Sequence, residues 1–140
     1  MQQQISVVTL GIADLDRSKR FYGEGFGWTP IFENPEIAFY QMNGLVFGTW
    51  LSEALAGDMG RASGGGPGAF ALAHNVATED EVVSLLERLV AAGGQLLRAA
   101  DAPPHGGFRG YAADPDGHAW EVAFNPDWAI DSEGHVRFGA

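Results

Sequence analysis

One order of elements occurs twice along this chain, and that repeat constrains its fold more than anything else in the sequence. Residues 5–12, "ISVVTLGI", are rich in β-branched side chains and read as a strand. Asp14 then offers an N-cap, and "LDRSKRFYGEGFG" reads as a helix ending near Gly25–Gly27. Three short strands follow at 28–33, 37–41 and 45–51, separated by the turn signals Asn34-Pro35-Glu36 and Met42-Asn43-Gly44. After residues 52–68, which begin with about one helical turn and become a Gly-rich flexible linker, the order restarts. Residues 69–76, "AFALAHNV", form a strand, Thr78 and Glu81 make a capping box, and Val82, Leu85, Leu86, Leu89 and Val90 supply a helical apolar stripe stopped by Gly93-Gly94. Strands at 95–98, 108–113 and 118–124 complete the second copy. The spacing predicts an α+β chain of tandem βαβββ modules at 5–51 and 69–124, with a C-terminal extension at 125–140. A unit that cannot bury its own sheet face alone is expected to pair with its copy.

Charge and composition narrow the partners. Eight Lys+Arg against eighteen Asp+Glu give a net charge of −10, which argues against nucleic acid and anionic membrane surfaces, since both need clustered cations. Neutral or cationic small molecules fit better. The absence of cysteine excludes a thiolate nucleophile, disulfides and Cys-based zinc or iron–sulfur centres. The start, "MQQQISVVTLGIADL", shows neither a basic n-region nor a long apolar run, so the chain reads as cytoplasmic with no membrane span. There is no G-x-S-x-G, and "GGGPGAF" lacks the Lys-Ser/Thr of a phosphate loop.

The stretch "YAADPDGHAWEVAFNP", residues 111–126, carries the clearest chemical signal. Asp114-Pro115-Asp116-Gly117 is a turn, because Pro presets φ at its second position and Gly accepts the angles of its last. Beyond it the side chains alternate: His118, Trp120, Val122 and Phe124 face one way, and Ala119, Glu121 and Ala123 the other. A lone carboxylate thus sits between two alanines, opposite an apolar stripe.

The tandem βαβββ order, the opening "VTLGIADLDRSKRFYGEGFGW" and the closing "GYAADPDGHAWEVAFNP" together resemble the vicinal-oxygen-chelate superfamily, which includes glyoxalase I, extradiol dioxygenases, fosfomycin-resistance enzymes and bleomycin-resistance proteins. The resemblance implies open half-barrel sheets around a concave pocket, and a homodimer. It also implies that a metal, where present, is held by His and Glu on the first and last strands of the modules. Glu121 matches the last-strand Glu, but Val7 and Ala71 occupy the first-strand positions, and no carboxylate or imidazole lies between Gly44 and Leu51. One ligand does not make a site, because a divalent ion needs three or more converging donors. No metal and no other cofactor is expected.

The inward-pointing sets implied for the three key strands are nearly all small: Val7, Thr9 and Gly11; Ala71, Ala73 and Asn75; Ala119, Glu121 and Ala123. Val8, Leu10, Phe70, Leu72, Trp120 and Val122 are expected to pack under the helices. Small side chains on a concave face leave volume for a ligand. The expected ligand-binding set is Glu121, Val7, Thr9, Ala71 and Ala73, with Trp50, Phe47, Phe108 and Tyr111 as candidate aromatic walls and His105 on a Pro/Gly loop. Glu121 is also the candidate general acid or base, and its alternative role is an ion pair with Arg109 or with an arginine of another subunit. By parity His74 faces the helix side and His118 cannot join Glu121. The resulting expectation is a bleomycin-resistance-like or glyoxalase-like protein with a degenerate metal site, binding a small organic molecule. The alternative is a metal-dependent or metal-free lyase, isomerase or dioxygenase of the same superfamily.

Overall fold

A computed structural model describes residues 1, 3–60, 62, 67, 70–104 and 106–139. The Gly-rich run expected to act as a linker falls largely outside them. The first module runs β1 (Val7–Ile12), α1 (Leu15–Arg20), β2 (Phe32–Glu33), β3 (Ile37–Gln41), β4 (Val46–Leu51) and α2 (Ser52–Met59). The second runs β5 (Leu72–Asn75), α3 (Glu79–Ala91), β6 (Gln95–Asp101), β7 (Phe108–Ala113) and β8 (Ala119–Phe124). Each forms an open four-stranded sheet, in the orders β1-β4-β3-β2 and β5-β8-β7-β6. In both, the first strand pairs in parallel with the last, and the other pairs are antiparallel. The fold is α+β with no closed barrel. Among the described residues no helix is long and apolar enough to cross a membrane.

Local signals explain the helices. The Asp14 carboxylate accepts from the Arg17 backbone N–H at 2.9 Å, which caps α1. The helix then widens into a π-helical turn, Phe21–Phe26, that buries Phe21 and Tyr22 and ends at Gly27 in the left-handed region. Both halves of the Thr78–Glu81 capping box form at the start of α3. The helix that follows buries Val82, Leu85, Leu86 and Leu89, whereas Val90, expected in the same stripe, is 42% exposed on its last turn.

Several elements differ from expectation. The strand expected at 28–33 shortens to Phe32–Glu33, since Pro30 has no N–H to donate and Trp28 stacks on Phe26, ring centres 4.3 Å apart. The strand expected at 69–76 shortens to Leu72–Asn75, and Phe70 is 54% exposed rather than packed under a helix. The single helical turn expected after Leu51 extends to Met59, because Glu53, Ala54, Leu55 and Ala56 favour helix. The C-terminal extension forms a small hairpin, β9 (Ala129–Ile130) with β10 (Val136–Arg137).

One core unites the modules. Tyr22 is fully buried, its ring lying 5.0 Å from Phe47 of the first sheet and 6.0 Å from Trp120 of the second. Its hydroxyl donates to Asp114 Oδ2 at 2.7 Å and accepts from Trp120 Nε1 at 3.1 Å. Nearby, Asp116 Oδ1 accepts from Ala13 N at 2.8 Å and from Arg17 at 3.0 Å, and His118 Nε2 lies 2.7 Å from Gly11 O. The β7–β8 turn is thereby fastened to the first module.

Burial makes one stability prediction. The His74 ring lies 5.6 Å from Phe26 and 6.3 Å from Trp28, on the helix side as parity required, and desolvation lowers its pKa below the usual 6.5. The unfolded imidazole therefore takes up a proton near pH 6.5 while the folded one resists, so stability falls as pH drops through that region. Thermal melts between about pH 7.5 and 5.5 should show this loss, and His74→Phe should flatten it.

Candidate functional site

The alternation along β8 separates two environments. Trp120 and Val122 enter the core at 5% and 0% exposure, while Glu121 stands half-buried on the helix-free face. The sheet register sets Glu121 between Ala73 on β5 and Tyr111 on β7. Tyr111 Oη donates to Glu121 Oε2 at 3.2 Å. Desolvation, followed by the adjacent Glu121 carboxylate, raises the Tyr111 pKa, so the phenol stays protonated as a donor at neutral pH. Arg109 shares this face, but its guanidinium is held by Asp101, so it is not the partner of Glu121. Asp101 is in turn held below the usual carboxylate range by hydrogen bonds from Arg98 and Arg109.

A cleft of about 320 Å³ opens beside Glu121. Ala73, Asn75, Asn125, Asp127 and Trp128 line it together with Glu121, and Gly106 and Gly107 form one wall. The chain bends into this cleft at Asn125-Pro126-Asp127-Trp128, where Trp128 N donates to Asn125 O at 3.0 Å. Gly107 is required there: its φ is +80°, and a Cβ would lie 2.9 Å from Phe124 O and 3.0 Å from Asn125 Oδ1. Among the described residues the lining holds two carboxylates, two carboxamides and an indole, with no basic side chain. Such a set accepts hydrogen bonds and attracts positive charge.

The structure gathers only part of the expected set. Glu121, Ala73 and Tyr111 come together. Val7 (49% exposed), Thr9 and Trp50 lie on the face of the first sheet turned away from Phe47 and the shared core, outside the cleft, with Trp50 opposite Gly11 in the register. Ala71 is exposed and precedes β5, also outside the cleft. Phe47 and Phe108 face away from Glu121: Phe47 is 3% exposed in the aromatic core, and Phe108 packs against that core. Burial of a large ring under the helices outweighs its use as a wall. His105 lies outside the described residues. Asn125, Asp127 and Trp128 were missed, although Pro126-Asp127 is itself a turn signal that could have indicated the return of the chain.

The donors present do not fit the metal that the resemblance associates with this fold. Glu121 has a phenol and alanines around it, and neither imidazole nor second carboxylate is paired with it on β5, β7 or β8. Among the described residues the only cluster of three ligating side chains is Asp131, Glu133 and His135, on the C-terminal hairpin. There the Asp131 carboxylate already accepts from the backbone N–H groups of Glu133 and His135.

Known proteins supply the wider context. No curated protein matches the chain. Its structure is similar to a glyoxalase-related enzyme from Fulvimarina pelagi, 66% identical over 99% of this chain and 100% of that one, with a TM-score of 0.96. It is also similar to a glyoxalase/bleomycin resistance protein/dioxygenase family enzyme from Burkholderia phytofirmans PsJN, 22% identical over 85% of this chain and 96% of that one, with a TM-score of 0.76. A genomically encoded fosfomycin resistance protein from Listeria monocytogenes is 21% identical over 89% and 95% of the two chains, with a TM-score of 0.69. The latter two show a shared fold. The sequence profile of one family matches residues 4–122, from ahead of β1 into β8, and by that match the chain belongs to the Glyoxalase/Bleomycin resistance protein/Dioxygenase superfamily.

Proposed function

We propose that this protein binds a small cationic organic molecule in the cleft beside Glu121, without a metal. The observation that carries this reading is the lining: Glu121 and Asp127 supply negative charge, Trp128 supplies an aromatic face, and among the described residues no lysine or arginine opposes them. An ammonium group against Glu121 would gain a charge-assisted hydrogen bond, and an adjacent apolar part could lie on the indole. The net charge of −10 favours the encounter. Tyr111 fixes one carboxylate oxygen and leaves the other for the ligand. We further propose a homodimer, as the family resemblance implies, and a cytoplasmic location.

A second reading rests on the Tyr111–Glu121 hydrogen bond and on the relative from Fulvimarina pelagi, which is described as an enzyme. A carboxylate next to a protonated phenol can take a proton from a bound substrate and return it, the chemistry of a metal-independent isomerase or lyase.

Titration with benzylammonium and with benzyl alcohol, followed by NMR, tests the first reading. The cation should bind at least about tenfold more tightly than the alcohol, Glu121→Gln should remove most of that preference, and prior EDTA treatment should leave it unchanged. Equal binding of the two probes, or a preference that survives Glu121→Gln or vanishes with EDTA, would refute it.

A further inference from the structure

We infer that the junction between the two modules holds a second ligand site, one for an uncharged planar aromatic molecule, reached from the core side of β5 and sharing only Ala73 and Asn75 of that edge strand with the Glu121 cleft. A cavity of about 460 Å³ opens there, within the size range of small-molecule sites. Phe47 and Trp120 form its floor, and the Trp28 ring stands at steep angles to both, with centres 5.9 Å and 5.7 Å away. Rings meeting edge to face present the geometry that a further aromatic ring can join.

The asymmetry of the repeat explains why this space exists. At one end of the junction the β7–β8 turn is closed by polar contacts: Asp116 holds Ala13 and Arg17, and His118 meets Gly11. At the other end the matching β3–β4 turn carries Met42 and Asn43, and Asn43 Nδ2 donates instead to Glu133 O of the C-terminal hairpin at 2.9 Å. The hairpin therefore spans this end as a strap, with Gly134 and Val136 bordering the cavity.

The chemistry of the lining selects the ligand. Among the described residues no Asp, Glu, Lys or Arg borders the cavity, so a charged guest would lose hydration without gaining a counter-ion. Its polar handles are neutral. The Trp120 indole donates to Tyr22, whereas among the described residues the Trp28 indole and the His74 imidazole have no hydrogen-bond partner. His74 borders the cavity and, kept neutral by burial, can donate or accept one hydrogen bond. The two sites thus differ in kind: carboxylates at Glu121, aromatic rings and neutral polar groups here.

The test titrates the full chain with N-phenyl-1-naphthylamine, an uncharged dye that fluoresces in apolar surroundings. Saturable binding of one equivalent is expected, not displaced by benzylammonium. Val136→Trp, a substitution at a 42% exposed hairpin position, should fill the mouth and weaken dye binding at least about tenfold. Glu121→Gln should leave it within about twofold. Should Val136→Trp melt well below the parent, Leu45→Trp at the same cavity takes its place with the same expectation. Absence of saturable binding, unchanged affinity in the folded cavity-filling variant, or loss of binding in Glu121→Gln would overturn the second site. Because the benzylammonium titration reads Glu121 alone, the two proposals can fail separately.

Discussion

Replacing Tyr22 with alanine is expected to destabilise the protein by about 3–5 kcal/mol, the usual cost of deleting a buried aromatic ring. The position is demanding on three counts. The ring is fully buried and touches Phe21, Phe26, Trp28, Tyr40, Phe47 and Trp120, so its removal opens a cavity where the two sheets meet. Its hydroxyl links Asp114 of the β7–β8 turn to Trp120 of β8. Burial raises the Asp114 pKa even though the Tyr22 hydrogen bond opposes the shift, so that carboxylate depends on every donor it has. Tyr22→Phe isolates the polar part: it keeps the ring, leaves Asp114 Oδ2 and Trp120 Nε1 unpaired, and should cost about 1–3 kcal/mol. Urea unfolding of both variants checks the pair. If Tyr22→Ala cost no more than Tyr22→Phe, the shared core would not be what joins the modules.

The repeat was legible because its signals are local. Capping at Asp14 and at Thr78 with Glu81, the stripe on α3 and the turn at Asp114–Gly117 depend on residues a few positions apart, and each formed. Parity along β8 was equally local, and it placed Trp120 and Glu121 on opposite faces. What lay hidden depends on contacts distant in sequence. Asn34-Pro35-Glu36 marks its turn, yet nothing nearby says that Trp28 leaves its strand to stack in the core. Nor does the 125–140 segment declare that it turns back over two openings, bringing Trp128 beside Glu121 and Val136 over Trp28. Phe47 and Trp50 were both candidate walls, and which of the two faced the core followed from the position of Tyr22, set by the π-helical turn.

Ala73→Phe should abolish ligand binding at the Glu121 cleft while leaving the fold nearly as stable as before. Ala73 is exposed, pairs with Glu121 in the sheet register and lines the cleft, so a phenyl group added there meets open space rather than packed core. Overpacking a close-packed interior would instead cost about 1–3 kcal/mol. Leu72→Ala, one residue away on the core side of the same strand, provides the contrast: it removes packing and should lower stability by roughly 2 kcal/mol, the low end for a partly buried leucine. The decisive measurement is the benzylammonium titration of Ala73→Phe, read beside its thermal melt. The account predicts no detectable binding and a melting temperature within a few degrees of the parent. Benzylammonium binding that persists at parental affinity in the folded Ala73→Phe variant would contradict it.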